Sequence, residues 1–181
     1  AALMNVLPED AVICADPGTP CPYFSAHYRW PMAGRHFITN RAHGALGYSL
    51  AAAIGAQVGR PNATVLSVMG DGSFNFSCGE LETIVRYRLP IKMFVFSNKT
   101  FGWIKAGQNS GFDKRFYNVD FGQTDHAAVA SAFGVKSWRA NKPSELSSII
   151  AQALSHDGPA LVDIISQPLH EASAPVSEWV A

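Results

Sequence analysis

Charge is scarce in this chain. Only 15% of its residues are charged, and fourteen basic side chains stand against fourteen acidic ones. No basic cluster exceeds two or three residues, so the chain lacks the positive footprint that a nucleic-acid surface needs. Cysteine is equally sparse: Cys14, Cys21 and Cys78 are odd in number and contain no C-x-x-C pair. That speaks against a disulfide scaffold and leads us to expect a reduced, cytoplasmic setting. The six histidines never fall at His-x-x-x-His spacing, which removes the common zinc signature. No G-x-x-x-x-G-K-[ST] run occurs, so a P-loop nucleotide enzyme is excluded. No apolar run approaches the length of a membrane span, and no basic-then-apolar leader opens the chain. An initiator Met is also missing, which reads as processing or as a piece of something longer.

What is there is an α/β pattern. Apolar residues make up 48% of 181 positions, enough for one domain over 1–181 with a proper core. Short apolar runs at Ala11–Ala15, Val65–Met69, Lys92–Phe96, Val135–Trp138 and Ala160–Ile165 alternate with helical segments. This alternation predicts a parallel sheet covered by helices on both faces. An Ala-rich helix is expected from about Ala45 to Val58, stopped at Arg60-Pro61. Phe101–Gln108 reads as a short helix. His126–Phe133 reads as a helix capped by Asp125 and ended by Gly134. Pro143–Ser155 is a helix with proline in its first turn. Tyr23–Arg35 reads as irregular and aromatic, Asn109–Gly122 as a polar, aromatic loop, and about 167–181 as a proline-broken tail.

The stretch from Val65 to Trp103 carries the chemistry. Its apolar run ends in Gly70-Asp71-Gly72, read as a tight loop, followed by a helix from near Cys78, a second apolar run, and Ser97-Asn98-Lys99-Thr100. Gly-Asp-Gly alone is compatible with a plain turn. With Asn98 emerging 27 residues later after a helix and a buried strand, one carboxylate and one carboxamide leave the same ends of two strands. Mg²⁺ takes few oxygens from protein and the remainder from ligand phosphates and water, so this pair suits a metal carrying a phosphorylated ligand. A backbone carbonyl, that of Thr100, can be added. The amides around Gly72 and Ser73 can face a phosphate. Asp16-Pro17-Gly18-Thr19-Pro20 follows the first strand, either as a turn in which Asp16 caps locally or as a ligand loop. His43 reads as a helix-start cap, and Gly44 and Gly47 as close-packing positions.

These residues resemble a known family. Gly-Asp-Gly at this distance from an asparagine resembles the thiamine-diphosphate motif. Gly70-Asp71-Gly72-Ser73-Phe74, Gly79-Glu80-Leu81-Glu82-Thr83 and Phe101-Gly102-Trp103-Ile104 look like the acetolactate synthase and benzoylformate decarboxylase branch. The likeness runs from Leu7 to about Pro168 and covers the diphosphate-binding (PP) domain of such enzymes. It implies thiamine diphosphate and Mg²⁺ as cofactors, with Asp71, Asn98 and the Thr100 carbonyl on the metal. It implies Gly70, Gly72, Ser73 and Thr19 beside the diphosphate, and Gly44 accepting from the 4′-amino group of the aminopyrimidine. Leu46 matches the apolar wedge that keeps the cofactor bent, bringing the 4′-imino nitrogen near the thiazolium carbon it deprotonates. Trp103 and Ile104 fall at substrate-facing positions; Arg115–Tyr117, His170 and Glu171 are further specificity candidates.

The chain departs from the family at two points. Ser97 stands where the family has the first of two asparagines. The glutamate that activates the aminopyrimidine belongs to a pyrimidine-binding (PYR) domain and has no counterpart here, so no catalytic residue is assigned. Glu80 and Glu82 read as helix-surface groups or as supports of the metal loop. The resemblance implies decarboxylation of a 2-oxo acid with protonation or carboligation, completed by a PYR-domain partner in a heterotetramer or larger assembly. The same residues also suit a fragment of a longer synthase or a non-catalytic cofactor-binding module.

Overall fold

Six strands form one sheet in the computed structural model, which describes residues 2–172. In chain order they are β1 (Val12–Ala15), β2 (Phe37–Ile38), β3 (Val65–Gly70), β4 (Lys92–Ser97), β5 (Lys136–Ala140) and β6 (Ala160–Ile165). The spatial order is β2-β1-β3-β4-β6-β5, and every pairing is parallel. All six strands therefore end at one edge. Order reverses between β1 and β3, the place where open parallel sheets bind ligands.

Parallel strands must be covered on both faces, and their alternating side chains divide into two cores. Val12, Cys14, Val65, Met69, Met93, Val95 and Leu161 pack on one face. The helices covering them are α2 (Tyr48–Gly59), α4 (Glu80–Arg86) and α6 (His126–Ala132), through Leu50, Ala53, Leu81, Ile84 and Ala130. Ile13, Ala15, Leu66, Val68, Phe94 and Val162 face the other way, against α1 (Pro20–His27) and α7 (Leu146–Ser155). The two remaining helices, α3 (Asp71–Ser77) and α5 (Gly102–Gly111), begin directly at or just past the ends of β3 and β4.

The fold class expected from the sequence is the one observed; several boundaries are not. Tyr23 to His27 is helical, because Pro20 occupies the first turn of α1, where a missing N–H costs nothing. The helix expected from Ala45 begins three residues later, since Gly47 sits at φ +85°, outside the right-handed region. The Gly-Asp-Gly segment is not a loop. Gly70 finishes β3 in extended conformation and Asp71 opens α3 at once. The two-residue edge strand β2, paired to β1 at Ile13–Phe37 and Cys14–Ile38, gave no apolar run of its own to read. The tail residues Val176–Trp179 lie outside the described residues.

Candidate functional site

Strand β1 ends at Ala15, and the next residue sets the geometry of everything around it. Asp16 is fully buried, and its carboxylate accepts from the backbone N–H of Tyr48 (2.9 Å), the N–H of Ser49 (3.2 Å) and the Ser49 hydroxyl (2.6 Å). Ser67 of β3 in turn donates to the Ser49 hydroxyl at 3.0 Å. Asp16 thus caps α2 from 32 residues away, rather than locally, and His43 remains exposed. Burial pushes the Asp16 carboxyl above its usual 3.8, against the pull of these hydrogen bonds. The cap locks the start of α2 to the end of β1. Pro17–Thr19 on one side and Gly44–Leu46 on the other are therefore held close.

The second anchor is Asp71. Its Oδ1 accepts from the Gly72 N–H (2.9 Å), and its Oδ2 accepts from the N–H groups of Asn98 (2.9 Å) and Lys99 (2.6 Å). Lys99 reaches this position at φ 62°, a left-handed conformation uncommon for a residue with a side chain. The ends of β3 and β4 are clasped together by that one carboxylate. Burial raises its pKa above the usual 3.8; the Lys99, Gly72 and Asn98 amides and the His126 side chain pull it back. Asn98 Oδ1 accepts from the Thr100 N–H at 3.2 Å, which folds the loop over itself.

A returning segment fixes this loop from outside. Phe101 N–H donates to the Val119 carbonyl, Phe121 N–H to the Lys99 carbonyl, and the Thr100 hydroxyl to the Val119 carbonyl (2.9, 2.8 and 2.7 Å). Lys105 pairs with Asp120 at 2.7 Å and lies over the Phe116 ring. The segment expected to be a polar loop is thus a strap across the end of β4. Asp113, Lys114 and Asn118 make its bends at positive φ.

One cavity of about 200 Å³ lies between these loops. Thr19, Gly44, Leu46, Gly70, Asp71, Gly72, Ser73, Asn98, Thr100, Trp103 and Ile104 all line it. Pro17 and Gly18, from the segment read as either a turn or a ligand loop, complete the wall with Phe96, Phe101 and Gly102, which were not assigned to the site. Gly102 carried a signal in retrospect, since a Cβ there would stand 2.9 Å from Thr19 Oγ1 and 3.3 Å from Asn98 Nδ2. Arg115 and Tyr117 are exposed on the strap and do not line the cavity, and His170 stands against the Phe116 ring 5.6 Å away. Glu80 and Glu82 also lie outside it, and Glu82 pairs with Arg86 on the surface of α4.

The donor set fits a hard divalent cation. An ionised carboxylate offers about four acceptor positions, of which Asp71 uses three. A carboxamide oxygen offers two, and Asn98 uses one. One free position on each suits an ion that draws its other oxygens from a phosphorylated ligand. Among the described residues no group of three or more His, Cys, Asp or Glu side chains is placed to hold a metal by itself.

Comparison with known proteins agrees with this geometry. Residues 18–164 match the family described as thiamine pyrophosphate enzyme, C-terminal TPP binding domain. The chain is 32% identical over 161 residues to a probable acetolactate synthase large subunit of Methanococcus aeolicus, and 33% over 166 residues to the acetolactate synthase large subunit of Porphyra purpurea. It is 32% identical over 158 residues to the acetolactate synthase isozyme 2 large subunit of Escherichia coli. These matches take in 87–88% of the chain but only 27–29% of each relative. With the family match running over 18–164, from the loop after β1 through nearly all of β6 and the cavity wall except Pro17, the chain belongs to the C-terminal TPP-binding domains of thiamine pyrophosphate enzymes, in the acetolactate synthase branch.

Proposed function

We propose that this chain forms the diphosphate-and-metal half of a thiamine-diphosphate- and Mg²⁺-dependent 2-oxo acid decarboxylase and carboligase. Its active site is completed by a PYR domain, on a partner subunit or on the remainder of the same polypeptide. The observation carrying this reading is the convergence of Asp71, Asn98 and Thr100 with Thr19, Gly44 and Leu46 on one cavity at the carboxyl ends of β1, β3 and β4.

In this reading Asp71, Asn98 Oδ1 and the Thr100 carbonyl would hold a metal whose charge offsets that of the diphosphate. Thr19, Gly70, Gly72 and Ser73 line the diphosphate side, while Leu46 supports the ring system from below. When bound, the cofactor supplies the electron sink for decarboxylation, and the protein contributes position and charge. Trp103 and Ile104, at the cavity mouth, face the substrate.

Two observations support an incomplete site. Among the described residues the cavity wall carries a single carboxylate, Asp71, which the metal would occupy, so a second acid would come from outside them. Its volume of about 200 Å³ also falls below the roughly 300–1,000 Å³ of whole ligand pockets. The relatives' names, acetolactate synthase, favour the carboligation outcome.

The test is turnover of pyruvate-like acids with Mg²⁺ and thiamine diphosphate, by the chain alone and with a PYR-domain protein. We expect no turnover alone and turnover on mixing. Robust activity of the isolated chain would overturn the half-site reading. Asp71→Ala in the complete assembly should abolish cofactor retention, and unchanged calorimetric affinity would contradict the metal assignment. A wild-type assembly that binds cofactor yet turns over no 2-oxo acid would favour a non-catalytic binding module. The intact mass of the native protein separates a subunit from a fragment.

A further inference from the structure

Behind Asp71 lies a second, water-sized cavity of about 10 Å³, lined in part by Asp71, Asn75, Ser97, Lys99, His126 and Arg139. The polar groups around it form a circuit with a buried centre, Ser97, His126 and Asp163, and a more exposed rim, Arg139 and Asp125. Ser97 Oγ donates to Asp163 Oδ1 at 2.5 Å and stands 2.9 Å from His126 Nδ1. A hydroxyl has one proton, so with that proton on Asp163 the His126 Nδ1–H must be the donor to Ser97. Arg139 Nε lies 3.7 Å from Asp163 Oδ2, and its guanidinium reaches Asp125 Oδ2 at 3.1 Å. Asp125 caps α6, whose first residue is His126, so the circuit closes on itself. Ser97, His126 and Asp163 are respectively 5, 3 and 0% exposed. His126 Nε2, with no hydrogen bond, belongs to the wall shared with Asp71.

Ser97 is the last residue of β4, and the next two amides, of Asn98 and Lys99, are those that clasp Asp71 Oδ2. Lys99 holds its left-handed conformation in that clasp. Such a turn persists only when its surroundings over-determine it. The circuit supplies that constraint from the side away from the cofactor cavity, joining β4 to β5, β6 and α6.

We infer that Ser97 is a positioning residue: held between Asp163 and His126, it fixes the carboxyl end of β4 so that Asp71 and Asn98 present their free oxygens to one ion. The metal part of this inference rests on the function proposed above; the clasp itself does not.

The test uses the protein in its complete assembly, with Ser97→Ala, Ser97→Thr and His126→Phe. Phenylalanine can keep the edge-to-face contact that His126 makes with Phe74 at 5.3 Å. The first measurement is hydrogen exchange of the Asn98 and Lys99 amides without metal. Ser97→Ala and His126→Phe should each speed it at least about tenfold, while Ser97→Thr, which keeps the hydroxyl, restores protection. The second is Mn²⁺ affinity by electron paramagnetic resonance with thiamine diphosphate present. It should fall about 10- to 100-fold in the same two variants, the range typical of groups that orient metal ligands. The double variant should bind no more weakly than the worse single one, because the residues act as a unit. Unchanged exchange in either variant overturns the inference, as does equal weakening by Ser97→Thr. If exchange responds but the wild type binds no Mn²⁺, the positioning role stands and the metal reading fails.

Discussion

Asp16 shows how much one side chain can set at this site. Removing its carboxylate leaves the Tyr48 and Ser49 amides without their acceptor, and an unsatisfied buried donor costs about 1–3 kcal/mol. Asp16→Ala should lose about 2 kcal/mol in urea unfolding, the upper end of a capping series. The pH dependence follows from the direction of its shift. The folded carboxyl holds its proton more tightly than the unfolded one, whose pKa is near 3.8. Its contribution to stability therefore falls as pH rises from 3.8 through the raised folded value. Wild type should lose stability relative to Asp16→Asn over that window, and parallel curves would contradict this. The thiols give a second check at the same scale. Cys14 is buried with its pKa pushed up to about 12, Cys21 is buried, and only Cys78 is partly accessible. An aromatic disulfide reagent at pH 8 should titrate one thiol rapidly in the folded chain, and three in denaturant. None of the Asp16 chemistry was legible in the sequence, because its partners lie 32 and 33 residues away. Asp71 and Asn98 were legible, since a strand, a helix and a strand fix where two such residues must emerge. Thr19, Gly44 and Leu46 became visible only through the family likeness. Ser97 meets His126 and Asp163 across 29 and 66 residues, a contact that no local pattern encodes.

At the scale of elements, two of the three glycines of α5, Gly102 and Gly107, have opposite meanings. Gly102 starts the helix wedged between the β1 and β4 loops, where a Cβ would stand 2.9 Å from Thr19 Oγ1, 3.3 Å from Asn98 Nδ2 and 3.7 Å from Leu169. Gly107, one and a half turns on, has nothing within 4 Å. Gly107→Ala should stabilise the chain by about 0.5–1 kcal/mol through helix propensity. Gly102→Ala should cost about 1–3 kcal/mol from overpacking, and should weaken cofactor binding as well. Thermal unfolding and calorimetric titration of the pair would separate the two effects. Helices α1 and α3 mark where local reading fell short. Pro20 and Pro22 resemble breakers until Pro20 is seen in a first turn, and Gly-Asp-Gly resembles a hairpin turn until Asp71 is seen to start a helix. The edge strand β2 exists because β1 offers it a partner, not because Phe37–Ile38 insists on extension.

The whole molecule is a sheet with its donors gathered at one edge and large apolar side chains left beside them. Phe76, Ile104, Phe112 and Tyr117 are all more than half exposed. Phe76 stacks on Phe101 and Ile104 lines the cavity, so part of this apolar surface is continuous with the site. That is the surface a completing domain would cover. A ligand that binds only the folded state at a hundredfold excess over its dissociation constant adds about 2.7 kcal/mol. Chelation of Mg²⁺ from the assembled protein should therefore lower its melting temperature, and re-addition should restore it. Insensitivity to both would place the metal elsewhere.

The uniform strand direction has a practical corollary. Every turn that enters a strand from a helix, such as Arg60–Thr64 before β3 or His156–Pro159 before β6, lies at the pole opposite the cavity. Arg60, Pro61 and Asn62 are exposed there. The molecule thus has a working end and a handling end. A tether, dye or surface linkage at Asn62 would leave the cavity pointing outward and unobstructed.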